Sequence, residues 1–181
     1  MKRICLLFIF LFAAQSLLIA QIDYERKLRI IGDSNGTKVS SQNEKIKVSV
    51  GDDGRFTIGT TAGKNLLFGF SSGYEGSTSF SHFYINGEIF SSFDDGIGPP
   101  FTPEMLMSPS LVEGSIITKW ISDSIIITQK VRPTYIGSNG TIKIEYLFEN
   151  ISSTNQEVGL LLFFDTMIGL NDYAPIATEY G

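Results

Sequence analysis

The chain has 181 residues, of which 43% are apolar and 18% charged; this suits one domain with a real core and argues against wholesale disorder. The formal net charge is −5, an acidity that repels phosphate backbones, so nucleic acid is excluded as a partner. One cysteine and one histidine exclude a disulfide framework and leave a three-ligand zinc site almost without donors.

Lys2 and Arg3 form a basic head before an apolar run, Ile4 to Ala20, broken only by Gln15 and Ser16. This is the layout of a secretory leader. A membrane-spanning helix needs about 20 predominantly apolar residues, and the Gln15-Ser16 break before the small Ala20 favours the leader. Residues 1–20 are therefore expected to be a signal peptide cut after Ala20 or Gln21. The product is then secreted, periplasmic or at the cell surface, with no membrane span in its mature part. Lys2 and Arg3 leave with the leader, so 14 less 2 gives 12 basic groups against 19 acidic ones, a net of −7. Cys5 leaves too, so the stability of the mature chain must come from packing.

Residues 21–44 are polar, carry the turn Gly32-Asp33-Ser34-Asn35-Gly36, and read as a loose lead-in. From Lys45 the pattern changes to short apolar alternations separated by turn dipeptides, the signature of strands and hairpins. Ile46, Val48 and Val50 share a face; Asp52-Asp53-Gly54 supplies a tight turn, and Arg55 to Gly59 returns. Leu66 to Phe70 reads as a short strand, followed by a Gly/Ser-rich loop with Tyr74. Ser79 to Ile85 and Glu88 to Ser92 flank Asn86-Gly87, a type I′ hairpin signal. Asp94 to Pro109 holds Pro99, Pro100, Pro103 and Pro109, cannot be a central strand, and reads as a long surface connection.

Between Ser115 and Phe164 four strands follow one another as a meander. Ile116, Thr118 and Trp120 point one way, Ile117, Lys119 and Ile121 the other. Ser122-Asp123-Ser124 turns and Ile125 to Val131 runs back. Pro133 to Gly140 reads as a loop. Ile142, Ile144, Tyr146 and Phe148 then alternate with Thr141, Lys143, Glu145 and Glu149, giving one dry face and one wet face. Val158 to Phe164 is apolar on both parities and is expected to be covered on both sides. The expected fold is all-β, an antiparallel β-sandwich over residues 45–181 with few or no helices after the leader. Because the chain stops after a polar loop without a closing strand, a piece of a larger sandwich is expected.

Chemistry-bearing residues are sparse. Asp165, Asn171 and Asp172 cluster after an apolar strand, and oxygen donors on one loop can hold Ca²⁺. Their spacing is not that of an EF-hand, and strand-end capping with an Asn-Asp turn accounts for the same residues; no other cofactor is expected. His82 lies between Phe80 and Tyr84 and reads as a sheet-face histidine packed among aromatics. Exposed aromatics on a sheet can stack on sugar rings through their apolar faces. Tyr74, Trp120 and Tyr173 are the binding candidates, with Tyr84 beside them, although Trp120 shares a face with Ile116 and reads equally as core. Asn35, Asn139 and Asn150 head Asn-x-Ser/Thr triplets, which are glycan acceptors in a eukaryotic secreted protein and plain turns in a bacterial one; the short leader favours turns.

Two segments carry a resemblance. Gly54-Arg55-Phe56-Thr57-Ile58-Gly59-Thr60-Thr61 with Leu66-Leu67-Phe68-Gly69, and Ile144-Glu145-Tyr146 through Asp165-Thr166-Met167-Ile168-Gly169 to Asn171-Asp172-Tyr173-Ala174-Pro175, resemble secreted bacterial β-sandwich proteins with no assigned reaction. The strand, Asn turn, strand order from Lys143 to Phe164 is similar, more weakly, to the supersandwich of galactose-mutarotase-like proteins. That likeness implies an incomplete supersandwich and no activity, because the family's catalytic histidines have no counterpart: Asp165 stands at the strand end and His82 is the only imidazole. The expected function is a secreted or cell-surface non-catalytic module that binds glycan or serves as a structural part among envelope proteins. The alternative is a mutarotase-like or polysaccharide-lyase-like enzyme with His82 or a tyrosine as base and Asp165 or Glu145 as partner.

Overall fold

Alternating apolar and polar residues joined by tight turns produce strands and no helix among the residues described by the computed structural model, 38–69, 79–92, 102–168, 170 and 171. All of these lie in the compact unit Thr37–Gly181, and the expected leader lies outside them. The strands are β1 (Val39–Gln42), β2 (Ile46–Val50), β3 (Phe56–Thr60), β4 (Phe80–Ile85), β5 (Glu88–Ser91), β6 (Glu104–Val112), β7 (Ser115–Ser122), β8 (Ile125–Ile136), β9 (Asn139–Asn150) and β10 (Val158–Phe163). They form three antiparallel sheets, ordered β1-β2-β3, β10-β4-β5 and β6-β7-β8-β9. The chain is all-β and sandwich-like: one face of the four-stranded sheet is covered by the two smaller sheets.

The turns follow backbone chemistry. Asn86 and Gly87 take φ of 49° and 92°, and Glu113 and Gly114 take 49° and 74°, the left-handed pair that matches the twist of a two-residue hairpin. Gly54, at φ 82°, closes the turn between β2 and β3 through its N–H to the Gly51 carbonyl (2.8 Å). It also makes space: a Cβ there would lie 2.2 Å from Cζ2 of Trp120.

Several expected boundaries move. Val39–Gln42 is not loose lead-in but an edge strand on β2. Leu66 and Leu67 form no strand; both N–H groups donate to the Ile58 carbonyl (3.0 Å each), wrapping the side of β3. Glu104–Pro109 is not a connection but the first part of β6, which accommodates Pro109 because it is an edge strand with two register shifts. The loop expected at Pro133 to Gly140 shrinks to Gly137-Ser138. The N–H that Pro133 lacks would have faced β7, whose pairing with β8 ends at Val131, so its loss costs no ladder bond. The meander stops at β9: β10 crosses to the other layer and pairs with β4.

Two apolar clusters fill the interface. Ile46, Val48, Val50, Phe56, Ile58 and Leu67 meet Ile116 and Val131, with Ile142 and Ile144 against them. Phe83, Ile85 and Phe90 meet Trp120, Ile125 and Ile127, with Met105, Tyr146 and Phe148 alongside. Between the clusters runs a polar row, Thr118, Gln129 and Tyr146, in register across β7, β8 and β9. Gln129 Nε2 donates to the Tyr146 hydroxyl (2.7 Å) and to the Gly54 carbonyl (3.4 Å), and the Tyr146 hydroxyl is hydrogen-bonded to Ser81 Oγ. The row thus ties the four-stranded sheet to the turn before β3 and to β4. Burial pushes the Tyr146 phenol above its ordinary value of 10.0, against the lowering effect of Ser81 and Gln129.

Gly54→Ala is expected to cost about 2–5 kcal/mol, combining a left-handed φ with overlap on a buried ring; urea unfolding measures it, and adding Trp120→Phe, which removes the overlapping atoms, recovers part of the loss. Tyr146 supplies a pH test. Its raised folded pKa means that the folded chain holds a proton the unfolded chain releases above pH 10.0, so this contribution is whole below pH 10 and is lost as pH rises through the folded pKa. Tyr146→Phe should cost about 1–2 kcal/mol at pH 7 and flatten that alkaline loss in thermal melts. Thr118→Val, which removes a buried hydroxyl without a hydrogen-bond partner among the described residues, should gain up to about 1 kcal/mol.

Candidate functional site

Trp120 is not a ligand platform. It is 1% exposed, lies against Gly54 and packs on Phe83 with ring centroids 5.6 Å apart; sharing a face with Ile116 puts it in the core. Tyr74, Tyr173 and Asp172 lie outside the described residues. Asp165 is tied by its backbone, its N–H donating to Ser79 Oγ (3.1 Å) and its carbonyl accepting from the Phe68 N–H (2.9 Å). Asn171 is exposed and exchanges backbone hydrogen bonds with Ile168 at 3.0 and 3.1 Å, a tight turn with Leu170 at its tip. Among the described residues no three or more His, Cys, Asp or Glu side chains gather as a metal site.

What the fold does assemble is a groove of about 580 Å³ on the outer face of the β10-β4-β5 sheet, lined by His82, Tyr84, Ile89, Glu157, Gly159 and Leu161 among others. Strand alternation puts His82 and Tyr84 on the face opposite the buried Phe83 and Ile85. The register sets Leu161 beside His82 and both Gly159 and Ile89 beside Tyr84. A Cβ at Gly159 would lie 3.3 Å from the Tyr84 Cβ, so the glycine lets the tyrosine lie close over β10. The Tyr84 hydroxyl donates to Glu157 Oε2 (3.3 Å). Glu157 is held in turn by Asn86, whose Oδ1 accepts the Glu157 N–H (3.0 Å) and whose N–H donates to the Glu157 carbonyl (3.0 Å).

His82 packs edge-on to Phe80 (5.0 Å between centroids), which stacks on Phe163 (5.1 Å), as its place among aromatics implied. Its Nδ1 has no hydrogen-bond partner among the described residues, so no carboxylate there orients it as a base. Ile89 and Leu161, 51% and 65% exposed, form apolar walls. The groove therefore offers aromatic surface, apolar flanks, and a hydroxyl and carboxylate at one end. That combination suits a small amphipathic ligand, and the volume falls within the usual range of about 300–1,000 Å³.

Glu157, Gly159, Leu161 and Ile89 escaped the sequence reading because the pairing that assembles them is remote; Tyr84 and Glu157 are 73 residues apart. The available signal was Gly159, the one small residue in an apolar strand, which marks a place where a neighbouring side chain comes close.

No protein-family profile, curated protein or solved structure matches this chain. Among the described residues no helix is long and apolar enough to cross a membrane.

Proposed function

We propose that this chain is a non-catalytic β-sandwich module, exported to the cell envelope or cell surface, that binds carbohydrate through the outer face of the β10-β4-β5 sheet. The observation that carries this reading is Tyr84, laid over Gly159 with its hydroxyl on the Glu157 carboxylate, between the His82 ring and the apolar walls of Ile89 and Leu161. A sugar ring has an apolar C–H face and a rim of hydroxyls; the first stacks on an aromatic ring and the second is read by a carboxylate. The basic head and apolar run of the first twenty residues support export.

The purified mature chain is expected to retain a polysaccharide on a glycan array and in affinity electrophoresis. Tyr84→Ala should weaken that binding about tenfold, the equivalent of about 1.4 kcal/mol, and Glu157→Gln by a similar factor, both with near-native thermal melting. Retention unchanged in both variants, or a blank array, removes the binding role and leaves the structural one.

A further inference from the structure

The six residues of β10, Val158–Phe163, read Val-Gly-Leu-Leu-Leu-Phe, a composition that belongs in a strand covered on both faces. Instead Val158 is 39% exposed, Leu160 41%, Leu161 65% and Phe163 48%. The reason is position. Phe83 of β4 sits over Tyr146 and Phe148 of β9, the edge of the four-stranded sheet, at ring distances of 6.0 and 6.2 Å. With β10 lying next to β4, Leu160 is left uncovered.

Among the described residues the backbone of β10 pairs with β4 alone. The Asn86 N–H donates to the Glu157 carbonyl, and the Ser92 N–H donates to the Ser81 carbonyl on the opposite side of β4. By antiparallel alternation Gly159, Leu161 and Phe163 bond to β4, while the N–H and C=O groups of Val158, Leu160 and Leu162 point to the free edge.

The other described edges are guarded in the ways that exposed strands normally are. β1 and β5 are four residues long. The outer side of β3 is wrapped by residues 64–67. β6 carries Pro109 and two register shifts, and β9 carries Lys143, Glu145 and Glu149. β10 has no charge, no proline and no register shift.

Charge identifies the occupant. Residues 79–92 and 151–168, which form this sheet and its turns, contain no Lys or Arg but hold Glu88, Glu157 and Asp165. Glu88 and the first residue of β10 both pair with Ile85, so Glu88 and Glu157 stand at the same end of the sheet. A second copy added antiparallel would set Glu157 of one chain near the Phe163–Asp165 end of the other, acid towards acid, which is unfavourable, whereas a strand with Lys or Arg beside Glu157 is drawn in. We infer that the free edge of β10 is a strand-addition site for an extended segment of another polypeptide, apolar over about six residues and flanked by basic ones. Backbone bonds to Val158, Leu160 and Leu162 supply affinity, and the uncovered leucines supply the apolar contact. This site is the strand edge, and it adjoins the groove of the carbohydrate reading, which Glu157, Val158 and Leu160 also line.

The probe is a fluorescent peptide alternating valine and threonine over seven residues with two lysines at each end, titrated against the purified protein by anisotropy. It should bind at least tenfold tighter than the same peptide flanked by glutamates, weaken with salt, and fail to bind with a central proline. On the unmodified protein, hydrogen exchange should slow at the amides of Leu160 and Leu162 when the peptide is bound. Leu160→Pro, which removes an outward N–H and no rung to β4, should abolish peptide binding with near-native thermal melting. Equal binding of the lysine and glutamate peptides, or unchanged exchange at Leu160 and Leu162, overturns the inference. So does a concentration-dependent dimer in sedimentation that Leu160→Pro abolishes, which would put a second copy on the edge.

Discussion

Gln129 is wholly buried in the middle of a sheet face, and a buried amide that loses its partners costs about 1–3 kcal/mol for each group left dry. Its Nε2 reaches the Tyr146 hydroxyl and the Gly54 carbonyl, and Tyr146 reaches Ser81. Those hydrogen bonds belong to both smaller sheets at once, so neither can slide on the four-stranded sheet without breaking one. The apolar clusters on either side provide most of the driving force, but apolar contact is non-directional. Position comes from the polar row and from Trp120 seated against a glycine that has no side chain to displace it. The Phe56–Ser79 bridge joins the two smaller sheets at the same level.

With the four-stranded sheet's inner face serving both partners, the β10-β4-β5 sheet is covered, among the described residues, on one side only. Its outer face carries the groove, and β10 is its edge strand among the described residues. The outer face of the four-stranded sheet is different in kind. There Lys119, Lys130, Arg132 and Lys143 are interleaved with Glu145, Glu149 and isoleucines. Lys143 Nζ pairs with Glu145 Oε1 at 2.7 Å, holding that carboxyl below its ordinary value. Exposed pairs of this sort add little to stability but keep a surface soluble. Among the described residues, the β10-β4-β5 sheet and its turns carry acidic groups and no Lys or Arg.

Local features were legible in the residues. Asn86-Gly87 and Asp52-Asp53-Gly54 announced their turns because left-handed backbone is accessible to few residue types. The alternation from Ile142 to Phe148 announced its dry face because the period of a strand is two. His82 was read correctly among its aromatic neighbours. The failures share another cause. Pro133 and Pro109 looked like breakers, yet a missing N–H matters only where a neighbouring strand waits to accept it, and neighbours are not written locally. Val158 to Phe164 looked like a doubly covered strand because composition reports how much apolar surface there is, not what lies over it.

Acidity, the all-β class and the positions of most turns were determined by the sequence alone, since each depends on contacts within a few residues or on composition. The crossing of β10 to β4, the burial of Trp120, the meeting of Tyr84 with Glu157 and the exposure of Leu160 were decided only by the tertiary structure. Each of these requires segments remote in sequence to come together. Such pairings are selected by the shared core and its buried hydrogen bonds, which no local window of residues contains.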